Sequence, residues 1–186
     1  MPFDHFDFLA PHYDRIIRFQ RLEKMLNLLG LPTPGRLLDA GGGTGRVAEH
    51  LRPHVDEIVV ADISTGMLAQ SRAKSLDAAC VASERLPFAE STFDRVLMVD
   101  ALHHVIHQGQ TMSELYRVLK PGGRLVIEEP DVRTFAVKLI AIAEKLALMR
   151  SHFLTPPQIA ALLPPDAQVT IETEDYNAWV IAIKPS

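Results

Sequence analysis

A glycine-rich turn after a short apolar segment is the sequence feature that most constrains the fold. The segment RLLDA, residues 36–40, runs directly into GGGTG, residues 41–45, and a helical pattern follows. Glycine lets the backbone approach a ligand with no Cβ in the way. A tight turn between a strand and a helix would also use glycines, but this strand–turn–helix setting favours a ligand-binding loop. The spacing is not the dinucleotide fingerprint GxGxxG, because Arg46 occupies the last glycine position, and it is not the phosphate loop GxxxxGK[ST].

Strand-like and helix-like patterns alternate along most of the chain. Short apolar runs predict strands, and apolar residues three or four apart predict helices. The predicted strands are 36–40, 57–61, 78–82, 93–99 and 124–129, followed by a terminal hairpin of 169–173 and 178–184. The predicted helices are 14–29, 44–51, 110–119, 132–149 and 156–163, with one more that Ser64 or Thr65 caps and that runs to Leu76. The alternation predicts an α/β fold in three layers, a doubly wound, mostly parallel, Rossmann-like sheet with an antiparallel C-terminal hairpin.

Length and composition predict a single domain over residues 1–186. The chain is 47% hydrophobic and 23% charged, which is ordinary for a globular protein. The formal net charge of −4 leaves no basic surplus for nucleic acid. Cys80 is the only cysteine, which excludes a disulfide framework and a multi-cysteine metal site, and we predict no metal. No targeting segment or apolar run of membrane-spanning length is visible, so we expect a cytoplasmic protein without stable membrane insertion.

An acidic residue stands directly after the second predicted strand. Ligands of open α/β sheets bind beyond the carboxyl ends of the strands, where neighbouring strands end side by side. Asp62 would therefore lie next to the glycine turn, where it can accept hydrogen bonds from both hydroxyls of a ribose. Its alternative role is that of a favourable negative charge at a helix N-terminus. Together, the turn and Asp62 predict a nucleoside ligand with a polar or charged tail.

Six stretches follow one another in the order of a known family: 37–45, 60–64 with 67–68, 84–88, 91–96, 101–105 and 119–123. In these stretches the chain resembles the class I S-adenosylmethionine-dependent methyltransferases. It looks most like their small-molecule branch, which includes the ubiquinone/menaquinone biosynthesis C-methyltransferases. The resemblance runs in the family's order from about Tyr13 to the C-terminus and implies S-adenosyl-L-methionine as cofactor, with S-adenosyl-L-homocysteine as product. These motifs are specific for the methyl donor and only weakly specific for the acceptor.

The resemblance implies where the donor lies. Gly41, Gly42 and Gly43 would line the methionyl part of the donor, with Asp39 beneath them. Gly42 stands where the family more often has cysteine, a change that we expect to be harmless. The N-terminal segment 1–30 would act as a lid or helix in front of a core of residues 36–186.

The adenosine part has its own implied contacts. Asp62 would hold the ribose diol, and Ile63 and Met67 would pack on adenine. Residues 82–84 would pass the adenine edge, with Ser83 and Glu84 beside it. The family often has an acidic residue at position 82, where this chain has alanine, which puts adenine discrimination in doubt more than the cofactor class.

Residues after the fourth predicted strand are candidates for acid–base chemistry. If this segment is helical, Asp100 faces His103 and His104 at positions i+3 and i+4. A carboxylate near a histidine raises its pKa and orients its ring, so we predict His104 as general base and Asp100 as its orienting residue. The alternative is that each histidine simply packs or caps at the strand end. Asp100 would also border the donor.

The resemblance adds Tyr13 to the candidates, because an aromatic residue of the N-terminal segment often covers the donor in this family. We predict that Tyr13 closes over the methyl group and touches His104; alternatively it only anchors the first helix. Glu128, Glu129 and Asp131 follow the fifth strand, near the expected acceptor, or they complement the next helix N-terminus.

The predicted helix 132–149 is apolar around most of its circumference. It would line an apolar acceptor pocket, form a homodimer interface or rest on a membrane surface, unless the C-terminal segment covers it. The sequence as a whole predicts an S-adenosylmethionine-dependent methyltransferase that acts on a small, apolar or aromatic molecule. The alternative is a module that binds S-adenosylmethionine or S-adenosylhomocysteine without turnover. A nicotinamide dehydrogenase is disfavoured by Arg46 and by the later motifs.

Overall fold

The computed structural model describes residues 7, 10–134, 137–138 and 151–186. Its strands are β1 (Arg36–Ala40), β2 (Glu57–Asp62), β3 (Asp77–Cys80), β4 (Phe93–Val99), β5 (Leu119–Pro130), β6 (Gln168–Glu174) and β7 (Asn177–Ile183). They form one sheet in the order β3-β2-β1-β4-β5-β7-β6. The first five strands are parallel to one another, whereas β7 runs antiparallel to β5 and β6. The predicted mostly parallel sheet with an antiparallel C-terminal hairpin is confirmed.

Apolar side chains on both faces of the sheet are covered, as three layers require. On one face, Leu37 and Leu97 pack with Met25 and Leu68 from helices. On the other face, Leu38 belongs to a core that also holds Met112, Leu115 and Ile159. The helices are Tyr13–Ile16, Leu22–Leu29, Ala48–Leu51, Thr65–Ala73, Gln108–Val118 and Pro156–Ala160, with 3-10 turns at Ala10–His12, Arg52–His54 and Leu102–His104.

The predicted helix 14–29 is wrong in its middle. One helix ends at Ile16, the next begins at Leu22, and the backbone of Ile17 is extended. Between the two helices, the ring of Phe19 lies 5.7 Å from that of His50. Contacts with distant parts of the chain therefore override an apolar spacing that suits one continuous helix.

The predicted helix 44–51 begins only at Ala48, and Gly45 explains the delay. The φ angle of Gly45 is +70°, which is incompatible with an α-helix. A Cβ at Gly45 would lie 2.4 Å from Leu76 Cδ1 and 2.9 Å from Ser71 Oγ. The glycine turn therefore packs directly on the segment that follows β2, and the helix begins one turn later.

The other boundaries differ from the predictions by a few residues. β3 covers Asp77–Cys80 instead of 78–82, so residues 81 and 82 have already left the sheet. β5 starts at Leu119 instead of residue 124, and the helices predicted at 110–119 and 156–163 cover 108–118 and 156–160. The predicted helix 132–149 falls mostly outside the described residues. In the described part of the chain, no helix is long and apolar enough to cross a membrane.

Candidate functional site

A cavity of about 320 Å³ opens at the carboxyl ends of β1, β2 and β4. Parallel sheets bind their ligands at this edge. The cavity collects every predicted donor-binding residue and every predicted catalytic residue except His103, which lies behind its wall. These lining residues are Tyr13, Asp39, Gly41, Gly42, Gly43, Asp62, Ile63, Met67, Ser83, Glu84, Asp100 and His104.

Asp62 connects the glycine turn to the next helix. Its Oδ2 accepts a hydrogen bond from Gly43 N–H at 2.9 Å, and its Oδ1 accepts one from Ser64 N–H at 2.8 Å. Ser64 in turn caps the helix Thr65–Ala73, because its Oγ accepts the Met67 N–H at 3.1 Å. Of the two residues that the sequence offered as a cap, Ser64 and Thr65, the structure therefore has Ser64. The carboxylate of Asp62 is held at the end of β2 by the loops that form the cavity floor.

Asp39 places a buried carboxyl group under the turn. The side chain is almost fully buried, and within the described residues neither oxygen has a hydrogen-bond partner of standard geometry. Burial raises its pKa to about 7, and Asp62 adds to this, although the Arg46 guanidinium and the Ala48 N–H favour the charged form. A Cβ at Gly42 would lie 2.6 Å from the Asp39 Cγ. A cysteine at position 42 would therefore need Asp39 to move, so the glycine and the carboxyl group are matched here.

Charged groups give the cavity an acidic lining. Among the described lining residues, the acidic ones are Asp39, Asp62, Glu84 and Asp100, and Arg46 is the basic one. Unlike charges attract over the short distances inside a partly dehydrated cavity. The cavity is therefore suited to a ligand with cationic groups.

Arg46 was missed as a site residue by the sequence analysis, which treated it only as a departure from a glycine pattern. Its Nη2 donates to Asp100 Oδ2 at 2.8 Å, and its side chain is 11% exposed. It also hydrogen-bonds the hydroxyl of Tyr13, whose pKa is raised chiefly by burial. Arg46 thus connects the N-terminal segment to the end of β4.

The predicted pairing of Asp100 with the two histidines is wrong. Asp100 has a φ of +51°, so no helix begins there, and a 3-10 turn forms at Leu102–His104 instead. The side chain of Asp100 turns to Arg46. Glu129 instead places a carboxyl group beside a histidine, because its Oε2 lies 2.5 Å from the Nδ1 of His103.

His104 also differs from the prediction in its protonation. Burial and the neighbouring His103 lower the pKa of His104 to about 3, whereas we predicted a raised value. The ring is therefore neutral near pH 7 and is a weak base. Its Nδ1 lies 3.3 Å from Ser151 Oγ.

Comparison with known proteins supports one family. A family model described as a methyltransferase domain matches residues 38–127. The demethylmenaquinone methyltransferase of Beutenbergia cavernae is 35% identical over 176 residues, which cover 93% of this chain and 69% of that protein. The chain belongs to the class I S-adenosylmethionine-dependent methyltransferases. Its cofactor is S-adenosyl-L-methionine.

Other relatives of this methyltransferase match a smaller part of their own length. The ubiquinone/menaquinone biosynthesis C-methyltransferase of Coxiella burnetii is 37% identical over 117 residues, and the chain covers 47% of it. Solved structures agree on the fold. An S-adenosylmethionine-dependent methyltransferase from Thermotoga maritima has a TM-score of 0.81 at 22% identity, over 96% of this chain and 98% of that one. A methyltransferase from Haloferax volcanii, solved with its Trm112 activator, has a TM-score of 0.79 at 16% identity and full coverage of both chains.

The residues of the methyltransferase cavity fit this cofactor. S-adenosylmethionine carries a sulfonium and an ammonium group, and the acidic lining suits both. The buried carboxyl group of Asp39 lacks a hydrogen-bond partner of standard geometry within the described residues, so its oxygens can still accept a hydrogen bond from an ammonium group. Ile63, which is 70% exposed, offers an apolar surface beside Asp62 on which a flat base can lie.

Proposed function

We propose that this methyltransferase binds its donor in the cavity described above and transfers the methyl group to a small, apolar or aromatic molecule. The observation that carries the proposal is the combination of an acidic floor with an apolar rim. Ile106 lines the same cavity and is 70% exposed, and Val105 lies beside it. Exposed apolar side chains at the mouth of a cavity favour an apolar ligand.

The proposed donor contacts come from the ends of β1 and β2 and from the segments that follow β1, β2 and β3. Gly41, Gly42 and Gly43 leave space for the methionyl part, whose ammonium group would pair with Asp39. On the other side, Asp62 would accept the ribose hydroxyls. Adenine would lie between Ile63 and Met67, with residues 82–84 at its edge. Ala82 has no acidic group, so adenine would be recognised there by the backbone and by Ser83 or Glu84.

Bound in this way, the cofactor would supply a methyl group activated by its sulfonium. The acceptor would form the new bond to the methyl carbon in line with the breaking carbon–sulfur bond, and S-adenosylhomocysteine would be the leaving group. The protein's task is then to align the acceptor and exclude water, and alignment of this kind lowers barriers by several kcal/mol. The neutral ring of His104 stands in the cavity wall as a hydrogen-bonding group. Its low pKa of about 3 makes it a poor proton acceptor, so the acceptor should be nucleophilic without help from this ring, as the electron-rich ring of a hydroquinone is. Tyr13 would cover the donor from the N-terminal segment.

The acceptor class is proposed from the names of the relatives and from the apolar rim. Purified protein would be incubated with S-adenosylmethionine and the reduced form of 1,4-naphthoquinone carrying a short isoprenyl chain, under nitrogen. We expect a product heavier by one methylene group together with S-adenosylhomocysteine, detected by mass spectrometry. If S-adenosylhomocysteine binds tightly but neither this hydroquinone nor a panel of phenols and amines is methylated, the module without turnover is the correct interpretation.

Substitutions at two glycines of the turn can distinguish an effect on donor binding from an effect on folding. Both Gly43 and Gly45 have positive φ angles, so an alanine at either costs about 1–2 kcal/mol of backbone strain. A Cβ at Gly43 has room, with Asp62 Oδ2 at 3.8 Å, whereas one at Gly45 collides with Leu76 and Ser71. We expect Gly43→Val to block binding of S-adenosylhomocysteine in a folded protein, and Gly45→Ala to lower the free energy of unfolding by more than Gly43→Ala. Urea unfolding measures the effect on stability, and calorimetric titration measures the effect on binding. Normal binding of S-adenosylhomocysteine by Gly43→Val would mean that the donor does not lie against Gly43.

The proposal extends to location and assembly. The composition of the chain supports a cytoplasmic location. The apolar character of residues 132–149 supports a homodimer that forms through that segment. Light scattering of the purified protein tests the dimer directly.

A further inference from the structure

Glu129 ties down the turn that follows β4 although it does not line the cavity. It lies on β5, and its side chain is buried. Its Oε1 accepts the N–H of Leu102 at 2.8 Å, and its Oε2 shares a hydrogen bond of 2.5 Å with Nδ1 of His103. Both partners belong to the 3-10 turn Leu102–His104. One carboxylate therefore fixes the backbone and a side chain of the same turn.

The ring of His103 contacts two other rings. It stacks on Phe153, with centroids 4.4 Å apart and planes 13° apart. The centroid of the His103 ring also lies 4.0 Å from the centroid of the His104 ring. Because His104 lines the cavity and His103 does not, the contacts of Glu129 reach the cavity through the His103 ring.

Further hydrogen bonds join this turn to the segment after residue 150. The N–H of His152 donates to the carbonyl of His103 at 2.7 Å. The Nε2 of Gln108 donates to the carbonyls of Leu102 and His152, at 3.0 and 2.7 Å. The turn is thus held from β5, from a helix and from the segment 151–153, and Glu129 contributes a carboxyl group to this network.

We propose that Glu129 is a positioning residue for methyl transfer, which holds the His104 ring in the cavity wall through the turn Leu102–His104 and the His103 ring. The inference rests on the proposed function, since it concerns the wall that the acceptor meets beside Val105 and Ile106. Loss of one partner of a buried hydrogen-bonded pair leaves the other without compensation, so the turn must rearrange. The donor contacts on β1 and β2 are not part of this network.

The test compares Glu129→Ala and Glu129→Gln in the full chain, with Glu174→Gln as the control on an exposed glutamate of β6. Glutamine keeps an oxygen for the Leu102 N–H, so it should rescue most of the function. With the isoprenyl naphthohydroquinone, we expect kcat to fall at least tenfold in Glu129→Ala and less than threefold in Glu129→Gln. The Kd for S-adenosylhomocysteine, measured by calorimetry, should stay within twofold of wild type in both.

A second readout works without turnover. The ring carbon–proton signals of His104 are assigned by NMR with the variant His104→Gln, and we expect them to move in Glu129→Ala and to stay near their wild-type positions in Glu174→Gln. If the wild type methylates no acceptor, the proposed function fails, and the NMR signals alone then decide the inference. His104 signals that do not move in Glu129→Ala, or a kcat that falls no more than the affinity for S-adenosylhomocysteine, would overturn it. If Glu129→Ala does not fold, the same comparisons are made with Glu129→Gln and Glu129→Asp. The shorter side chain of Glu129→Asp cannot reach both partners. A wild-type kcat together with wild-type His104 signals in Glu129→Asp would then overturn the inference.

Discussion

Replacing Asp39 by asparagine is expected to stabilise the protein without ligand at pH 8 and to weaken donor binding at the same time. The carboxyl group is buried, and its pKa is raised from 3.8 to about 7. A difference of this size corresponds to about 4 kcal/mol, at 1.36 kcal/mol for each pH unit. Asparagine has nearly the same shape and no charge. We expect it to recover about 2–4 kcal/mol of unfolding free energy, which at this chain length is roughly 4–16 °C in Tm.

The pH dependence of this effect identifies its cause. The pKa of Asp39 is higher in the folded protein than in the unfolded chain, so between about pH 4 and pH 7 the folded protein keeps a proton that the unfolded chain has lost. Stability therefore falls as the pH rises through this range and stays level above it. The asparagine variant lacks this contribution. Unfolding curves of the two proteins should coincide near pH 4 and separate progressively up to pH 7, and parallel curves over the whole range would refute the argument.

The affinity for the ligand is expected to show the opposite pH trend, rising where the stability of the protein falls. If the ammonium group of S-adenosylhomocysteine pairs with the Asp39 carboxylate, the wild type should bind it more tightly as the pH rises towards 7. The asparagine variant should bind it about tenfold more weakly at pH 8, a loss of about 1.4 kcal/mol. Calorimetric titrations at pH 5.5 and pH 8 measure both trends. A variant that is more stable and binds equally well would place the ammonium group away from Asp39.

The strands were predictable because each is a local signal. β1 and β4 have the predicted bounds, since a parallel strand with both faces covered is a short apolar run that ends at polar residues or glycine. Asp62 and the glycine turn were predictable as neighbours for a related reason. The carboxyl ends of adjacent parallel strands meet whatever the details of packing.

The partners of the charged side chains could not be predicted in the same way. Arg46 and Asp100 are 54 residues apart, and Glu129 and His103 are 26 apart, so no spacing rule connects them. The predicted pairing of Asp100 with the histidines assumed a helix, and the positive φ of Asp100 removes that helix. The acidic residues at the end of β5 were visible in the sequence, but which of them meets a histidine depends on how β5 packs beside the turn Leu102–His104.

The second large effect is expected at Asp62, where replacement by alanine should weaken binding of S-adenosylhomocysteine at least thirtyfold. Two hydrogen bonds from the ribose hydroxyls to a charged acceptor would be lost, each contributing about 1.5–3 kcal/mol. A total loss of only about 2 kcal/mol already corresponds to thirtyfold. The measurement is a calorimetric titration, with Asp166→Ala as the control on an exposed aspartate.

Asp62 also holds the cavity floor, and a second variant separates this role from ligand binding. Its oxygens accept the N–H groups of Gly43 and Ser64, so alanine should also lower the unfolding free energy, by about 1–3 kcal/mol for the donors that lose their acceptor. Asparagine keeps one oxygen and exchanges the other for an NH₂ group, which can neither accept the Gly43 or Ser64 N–H nor bind the second ribose hydroxyl as an acceptor. We therefore expect Asp62→Asn to fold with a smaller loss of stability and still to bind at least tenfold more weakly than wild type. Wild-type affinity in Asp62→Asn would mean that the carboxylate only braces the loops, and that the ribose lies against a different part of the cavity.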